Sequence, residues 1–159
     1  MTIKVLFVCL GNICRSPTAH GVFEEKVKQA GLSAQISVDS AGTGDWNLGK
    51  APDKRASATA KSRNYDLSAL RARLVTSEDF NQADYILAMD NSNLSDLQMM
   101  CPDSYSGKLV LFLSYTDSFS EIEVPDPYYG EGEGFNLVFD MVEAASAGLL
   151  AEIKVRLAS

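Results

Sequence analysis

Apolar residues run unbroken over 5–8 and stop at a turn. From residue 17 onward they recur at helical spacing, as Ala19, Val22, Phe23, Val27 and Ala30. The first pattern predicts a strand buried on both faces, the second an amphipathic helix stopped by Gly31. The alternation then repeats. Ile36 and Val38 mark a strand over 35–39 that ends in a turn at 40–43, and an Ala-, Lys- and Arg-rich stretch predicts a helix over 53–64. Thr76 with Asp79 three residues on is a capping box, with Asp in the Glu position, opening a short helix. A strand over 85–89, a helix over 92–100 before Pro102 and a strand over 108–113 follow. Phe135, Val138, Phe139, Val142, Ala145, Leu149 and Ile153 then make the stripe of a long terminal helix.

Strands alternating with helices predict an α/β fold: a three-layer αβα sandwich around a four-stranded parallel sheet, flavodoxin/Rossmann-like. Two long irregular stretches, 41–52 and 114–131, would open at the carboxyl ends of the strands, where such sheets bind ligands. No repeats, linkers or low-complexity tracts interrupt the pattern.

A chain of 159 residues fits a single domain over 1–159 with a substantial core. Its net charge of −7, without any basic stripe, argues against a nucleic-acid partner. An anionic substrate remains compatible, because long-range repulsion is screened beyond about 8 Å. The odd count of three cysteines, two of them in one turn, does not suit a secreted disulfide framework and points to a reducing, cytoplasmic setting. Residues 3–10 are apolar but broken by Lys4, with no small-residue cleavage site after them, so they are expected to form a strand and not a signal. No stretch is expected to supply the ~20 apolar residues of a membrane span.

The chemistry concentrates in Cys9-Leu10-Gly11-Asn12-Ile13-Cys14-Arg15-Ser16, between the first strand and the first helix. Ser16 is the expected cap, with Pro17 at the first helical position. Backbone N–H groups in such a turn point inward, and the helix N-terminus adds partial positive charge, so the turn suits a tetrahedral anion. Arg15 can fork two hydrogen bonds onto that anion. The same field favours Cys9 as thiolate, the form that attacks phosphorus. A strand-end cysteine alone is more often core than nucleophile. Here Gly11 inside the turn and Ser16-Pro17 closing it favour catalysis.

This turn resembles that of the low-molecular-weight protein tyrosine phosphatases. The resemblance extends over essentially the whole chain through Asp39-Ser40-Ala41-Gly42-Thr43, Trp46-Asn47-Leu48-Gly49, Thr76-Ser77-Glu78-Asp79-Phe80, Asp84-Tyr85-Ile86-Leu87-Ala88-Met89-Asp90 and Val124-Pro125-Asp126-Pro127-Tyr128-Tyr129-Gly130. It implies hydrolysis of tyrosine-phosphorylated proteins and small aryl phosphates through a phosphocysteine on Cys9, without metal or cofactor. Arg15 and the turn residues Leu10, Gly11, Asn12, Ile13, Cys14 and Ser16 would hold the phosphoryl group. Asp126 would protonate the leaving phenolate and then activate water. Pro127 restricts Asp126 to an extended backbone, although Asp-Pro is also a common turn dipeptide.

Leu10, Ile13, Trp46, Asn47, Tyr128 and Tyr129 match the family's cleft walls; for Trp46 the alternative is an anchor for its own loop. Asn12, Ser16 and Ser40 resemble a supporting polar network. In it Asn12 tolerates positive φ, and Ser16 either donates to the sulfur or caps the helix. Asp90 either orients Arg15 or caps the following helix. Where mammalian members carry a histidine this chain has Leu70, so that branch must be absent or rebuilt. In the family, the pair matching Cys9 and Cys14 can form a reversible disulfide.

Cys101 is expected to be a packing residue and His20 to face solvent. As the only histidine, His20 leaves no material for a Ser-His-Asp triad or a His-rich zinc site. Arsenate reductase, hosted by the same fold, needs a downstream cysteine pair, and only Cys101 is present. Phosphoarginine-selective members resemble this turn with Thr in place of Ile13. A non-catalytic phosphate-binding module would have lost Cys9 or Asp126. A monomer, or weak self-association, completes the expectation.

Overall fold

The computed structural model describes residues 1–128, 130 and 133–159. Strand β1 (Ile3–Cys9) leads into helix α1 (Arg15–Gln29), followed by β2 (Ile36–Gly42), α2 (Lys54–Ser62) and α3 (Ser77–Gln82). Then come β3 (Tyr85–Ala88), α4 (Asn91–Met100), β4 (Lys108–Leu111), a 3₁₀ turn (Phe112–Tyr115) and α5 (Glu133–Ala158). The four strands pair in parallel in the order β2-β1-β3-β4, the flavodoxin-like arrangement.

β1 is apolar at successive positions because both its faces are covered. Val5 and Phe7 face α1 and α5, where Phe7 meets Phe23 and Phe112 edge-on at ring distances of 5.7 and 4.9 Å. Leu6 and Val8 face the other way, with Phe80 and Leu97. All seven residues of the terminal stripe are buried, as expected. α5 is long and apolar enough to cross a membrane by length and composition, contrary to the expectation from sequence. Its apolar side is spent on α1 and the sheet, and at Gly148 a Cβ would collide with the Tyr115 carbonyl. It is a core helix.

Several boundaries differ from those expected. β2 continues through Ser40 to Gly42 instead of turning at 40, because Cys9 of β1 pairs with Gly42. β4 stops at Leu111, and Phe112 and Leu113 bury themselves from the 3₁₀ turn. α1 begins at Arg15 with Cys14 at its N-cap, so Ser16 lies inside the helix and its hydroxyl is free for other work. Asp53 caps α2, accepting from the N–H groups of Arg55 and Ala56 at 2.8 and 3.3 Å. The capping box of α3 forms, with the Thr76 N–H donating to Asp79 at 2.8 Å.

Candidate active site

The turn after β1 is shaped by what its carbonyls bind. Those of Cys9 and Leu10 accept from the N–H groups of Thr43 and Gly44, at 3.0 and 2.9 Å. That of Gly11 accepts from Asn47 Nδ2 at 3.3 Å, and that of Ile13 from the Asp53 N–H at 2.8 Å. In a planar trans peptide the following N–H points opposite the carbonyl. Carbonyls drawn outward therefore aim the next amides inward, and the Asn12 N–H indeed meets Cys9 Sγ at 3.3 Å. The result is a ring of donors at a helix N-terminus around a sulfur. Gly42 lies against the turn, where a Cβ would come within 2.8 Å of the Leu10 carbonyl.

Asn12 adopts φ 56°, the left-handed conformation expected of it. Its Nδ2 donates to Ser16 Oγ at 2.7 Å, and its Oδ1 accepts from the Arg73 N–H at 3.0 Å. Ser16 Oγ sits 3.0 Å from Cys9 Sγ and 3.4 Å from the Ala41 carbonyl. Of its two expected roles, the structure favours the sulfur contact over the cap.

Arg15 is buried and donates from one nitrogen to Asp90 Oδ2 at 2.7 Å and to the Val124 carbonyl at 3.0 Å. Its other terminal nitrogen is 3.7 Å from Asp126 Oδ2. Asp90 fills both roles considered for it, since its Oδ1 accepts from the Asn93 N–H at 2.8 Å and caps α4. Asp126 enters the cleft from a segment whose start is tied to the residue following β3, the Val124 N–H bonding to the Met89 carbonyl at 2.8 Å.

Cys9, Leu10, Gly11, Ile13, Cys14, Arg15, Trp46, Asn47, Asp126 and Tyr128 line one cleft of about 230 Å³. Trp46 is 61% exposed and walls the mouth. Its ring also lies against Gly44 of its own loop, where a Cβ would collide with it, so both roles considered for it have a contact. Asn47 supplies a further anchor through its bond to Gly11. Tyr129 lies outside the described residues. Cys14 packs with Ile13, Ala56 and Phe135. Burial, reinforced by the Asp53 carboxylate, pushes its thiol far up and keeps it neutral.

Ser40 departs from the expected network. Its hydroxyl meets His20 Nδ1 at 3.0 Å, while Arg73 takes the free oxygen of Asn12. His20 is accordingly buried, not solvent-facing, because Ser40 holds it against β2. Burial lowers its pKa, against the raising influence of Glu24 and Asp39. Leu70 packs at the edge of the main core. Cys101 packs beside Leu97, as expected of a packing residue.

Sequence reasoning missed Arg73 and Arg55. Arg73 binds Asp39 at 2.9 Å and Asp79 at 2.8 Å while its backbone holds Asn12. Arg55 forms a salt bridge with Asp53 at 3.1 Å beside the cleft. Neither stands in a local motif, and their partners lie up to 73 residues away in sequence. Among the described residues no group of three or more His, Cys, Asp or Glu is disposed to hold a metal ion.

Sheet order and turn together define a class of flavodoxin-like proteins that cradle a tetrahedral anion beside a cysteine. A family model described as low molecular weight phosphotyrosine protein phosphatase matches residues 4–158. A low molecular weight protein-tyrosine-phosphatase of Streptomyces coelicolor is 41% identical over 157 residues, covering 97% of this chain and 95% of the relative. The crystal structure of a protein tyrosine phosphatase from Entamoeba histolytica, with Hepes in its active site, superposes with a TM-score of 0.92 at 39% identity, covering 96% and 97% of the two chains. A Drosophila arginine phosphatase superposes with a TM-score of 0.90 at 34% identity, covering 96% and 98%. The chain belongs to the low molecular weight phosphotyrosine protein phosphatase family.

Proposed function

We propose that this protein hydrolyses phosphotyrosine in proteins, and small aryl phosphates, with Cys9 as nucleophile, Arg15 as phosphoryl ligand and Asp126 as general acid and base. One observation carries the assignment. Cys9 Sγ, held by Ser16 at 3.0 Å and the Asn12 N–H at 3.3 Å, opens into the cleft where Arg15 and Asp126 approach to 3.7 Å.

The sulfur attacks phosphorus in line while Arg15 and the inward amides of the turn hold the equatorial oxygens, whose charge grows in the transition state. The P–O bond to the phenol breaks, and Asp126 delivers its proton to the departing oxygen. The resulting carboxylate then takes a proton from water, which attacks phosphocysteine and releases the thiolate with phosphate. Asp90 holds Arg15 in place from the far side. Leu10, Ile13, Trp46, Asn47 and Tyr128 give the phenyl ring flat and apolar walls. The branched apolar Ile13 favours that ring over a guanidinium.

The same reading takes 1–159 as one phosphatase domain, needing neither metal nor cofactor and working as a monomer or weak self-associate. Its setting is the cytoplasm, where a thiolate persists. When peroxide oxidises Cys9 to a sulfenic acid, Cys14, close by in the turn, is the thiol that condenses with it, releasing water and leaving a protective disulfide. Neither nucleic acid nor membrane enters the reaction.

The test is hydrolysis of a phosphotyrosine peptide, with phosphoarginine assayed in parallel, by wild type, Cys9→Ser and Asp126→Asn. Activity on phosphotyrosine is expected to vanish in the first variant and fall at least ~100-fold in the second, within the range of general acid catalysis. Turnover surviving in Cys9→Ser, or a preference for phosphoarginine, would overturn the assignment.

A further inference from the structure

Arg55 stands in the first turn of α2, at the side of the cleft, and takes part in none of the steps above. Its bonds nevertheless join the two halves of the site. The Asp53 N–H holds the Ile13 carbonyl of the phosphate turn at 2.8 Å. The Asp53 carboxylate accepts from Arg55 Nε and its terminal nitrogen at 3.2 and 3.1 Å. That same nitrogen donates to the Tyr128 carbonyl at 3.0 Å. The Tyr128 N–H in turn donates to Asp126 Oδ1 at 3.0 Å. The guanidinium also lies 4.8 Å from the ring centre of Phe135 and 5.5 Å from that of Tyr128.

We propose that Arg55 is a positioning residue that clamps the distal end of the segment 124–128 to the phosphate turn and thereby fixes Asp126 for proton transfer. The proposal rests on Asp126 being the acid of the reaction proposed above. The near end of the segment is already held, since Arg15 binds the Val124 carbonyl at 3.0 Å. Asp126 therefore lies between two arginine-held carbonyls. Its own side chain is 34% exposed, and at 3.7 Å its contact with Arg15 is too long to set its orientation. The backbone must do so.

Capping of α2 does not explain Arg55, because Asp53 caps the helix through the backbone N–H groups of Arg55 and Ala56. The clamp needs a planar fork, since one side chain must serve a carboxylate and a carbonyl while its flat face lies on aromatic rings. Lysine offers a point charge and no such face.

A misplaced acid has a signature that general loosening of the fold lacks. Proton donation matters greatly for a phenol of pKa near 10 and much less for 4-nitrophenol, about three units more acidic. The experiment measures kcat/KM on phenyl phosphate and on 4-nitrophenyl phosphate for wild type, Arg55→Ala, Arg55→Lys and Asp126→Asn. Arg55→Ala is expected to lose ~10-fold on phenyl phosphate and under ~3-fold on 4-nitrophenyl phosphate, part of the range open to general acid catalysis.

Arg55→Lys, which keeps the charge and the aliphatic stem, is expected to show a smaller split of the same sign, and it carries the test if Arg55→Ala does not fold. Asp126→Asn must show the split most strongly. If Asp126→Asn splits the substrates while the Arg55 variants lose equally on both, or lose nothing, the clamp is overturned and the acid assignment stands. If Asp126→Asn shows no split, the acid assignment fails and the clamp fails with it.

Discussion

Ser16→Ala isolates the stabilisation of the departing sulfur. The hydroxyl is fully buried and has one proton to give. Asn12 Nδ2 occupies one of its lone pairs at 2.7 Å, which leaves the O–H for Cys9 Sγ at 3.0 Å or for the more distant Ala41 carbonyl at 3.4 Å. When the sulfur carries charge, the bond to it is the stronger one. A hydrogen bond to a charged group contributes about 1.5–3 kcal/mol, which converts to roughly 10- to 150-fold in a rate.

The step most exposed to this loss is hydrolysis of phosphocysteine, in which charge returns to the sulfur. Attack, in which the sulfur gives up charge, is affected less. Ser16→Ala should therefore lower kcat more than kcat/KM and make phosphocysteine accumulate. Rapid mixing with 4-nitrophenyl phosphate reads this as a larger burst of nitrophenolate before a slow steady state. The variant also leaves Asn12 Nδ2 without its partner, at a cost to folding of about 1–3 kcal/mol that a urea titration measures separately. An unchanged kcat, or kcat and kcat/KM falling together without a burst, would refute the reasoning.

Two further perturbations test the frame around the site. For Asp79, burial pushes the carboxyl pKa up, but its bonds with Arg73 and the Thr76 N–H outweigh this and hold it below the ordinary value. Its contribution to stability is thus present above the unfolded carboxylate pKa of about 3.9 and lost as pH falls through the lower folded value. Asp79→Ala should cost roughly 2–4 kcal/mol at pH 7, the loss of a cap and a charged hydrogen bond, and urea titrations should show the gap from wild type closing at low pH. For His20, burial lowers the pKa. As pH drops below about 6.5 the unfolded chain takes up a proton that the folded one resists, so stability declines until the folded value is passed. His20→Gln should flatten that decline in thermal melts between pH 7.5 and 5, and an unaltered slope would assign it to another group.

Much of the fold was legible because it depends on local periodicity. The unbroken apolar run of β1, the stripe of α5 and the Thr76–Asp79 box each express one physical demand over a few residues, and each formed where expected. Element ends were less legible. β2 reaches Gly42 because it pairs with β1, and β4 gives way to a 3₁₀ turn because Phe112 must reach Phe7. Neither partner is local in sequence. The long apolar helix α5 shows the same limit, since only its packing distinguishes a core helix from one that could span a bilayer.

In the site, the eight residues from Cys9 to Ser16 by themselves pointed to the candidate nucleophile, the anion cradle and its arginine, because sulfur, amides and guanidinium lie within one turn of chain. What surrounds them was decided in three dimensions. Ser40 turned from the expected network toward His20, Arg73 reached Asn12 from 61 residues away, and Arg55 met Tyr128 across 73. Local sequence carries the chemistry of neighbours along the chain; hydrogen bonds between distant residues exist only once the fold has brought their loops together, since a bond needs a donor and an acceptor aligned within about 3 Å of each other.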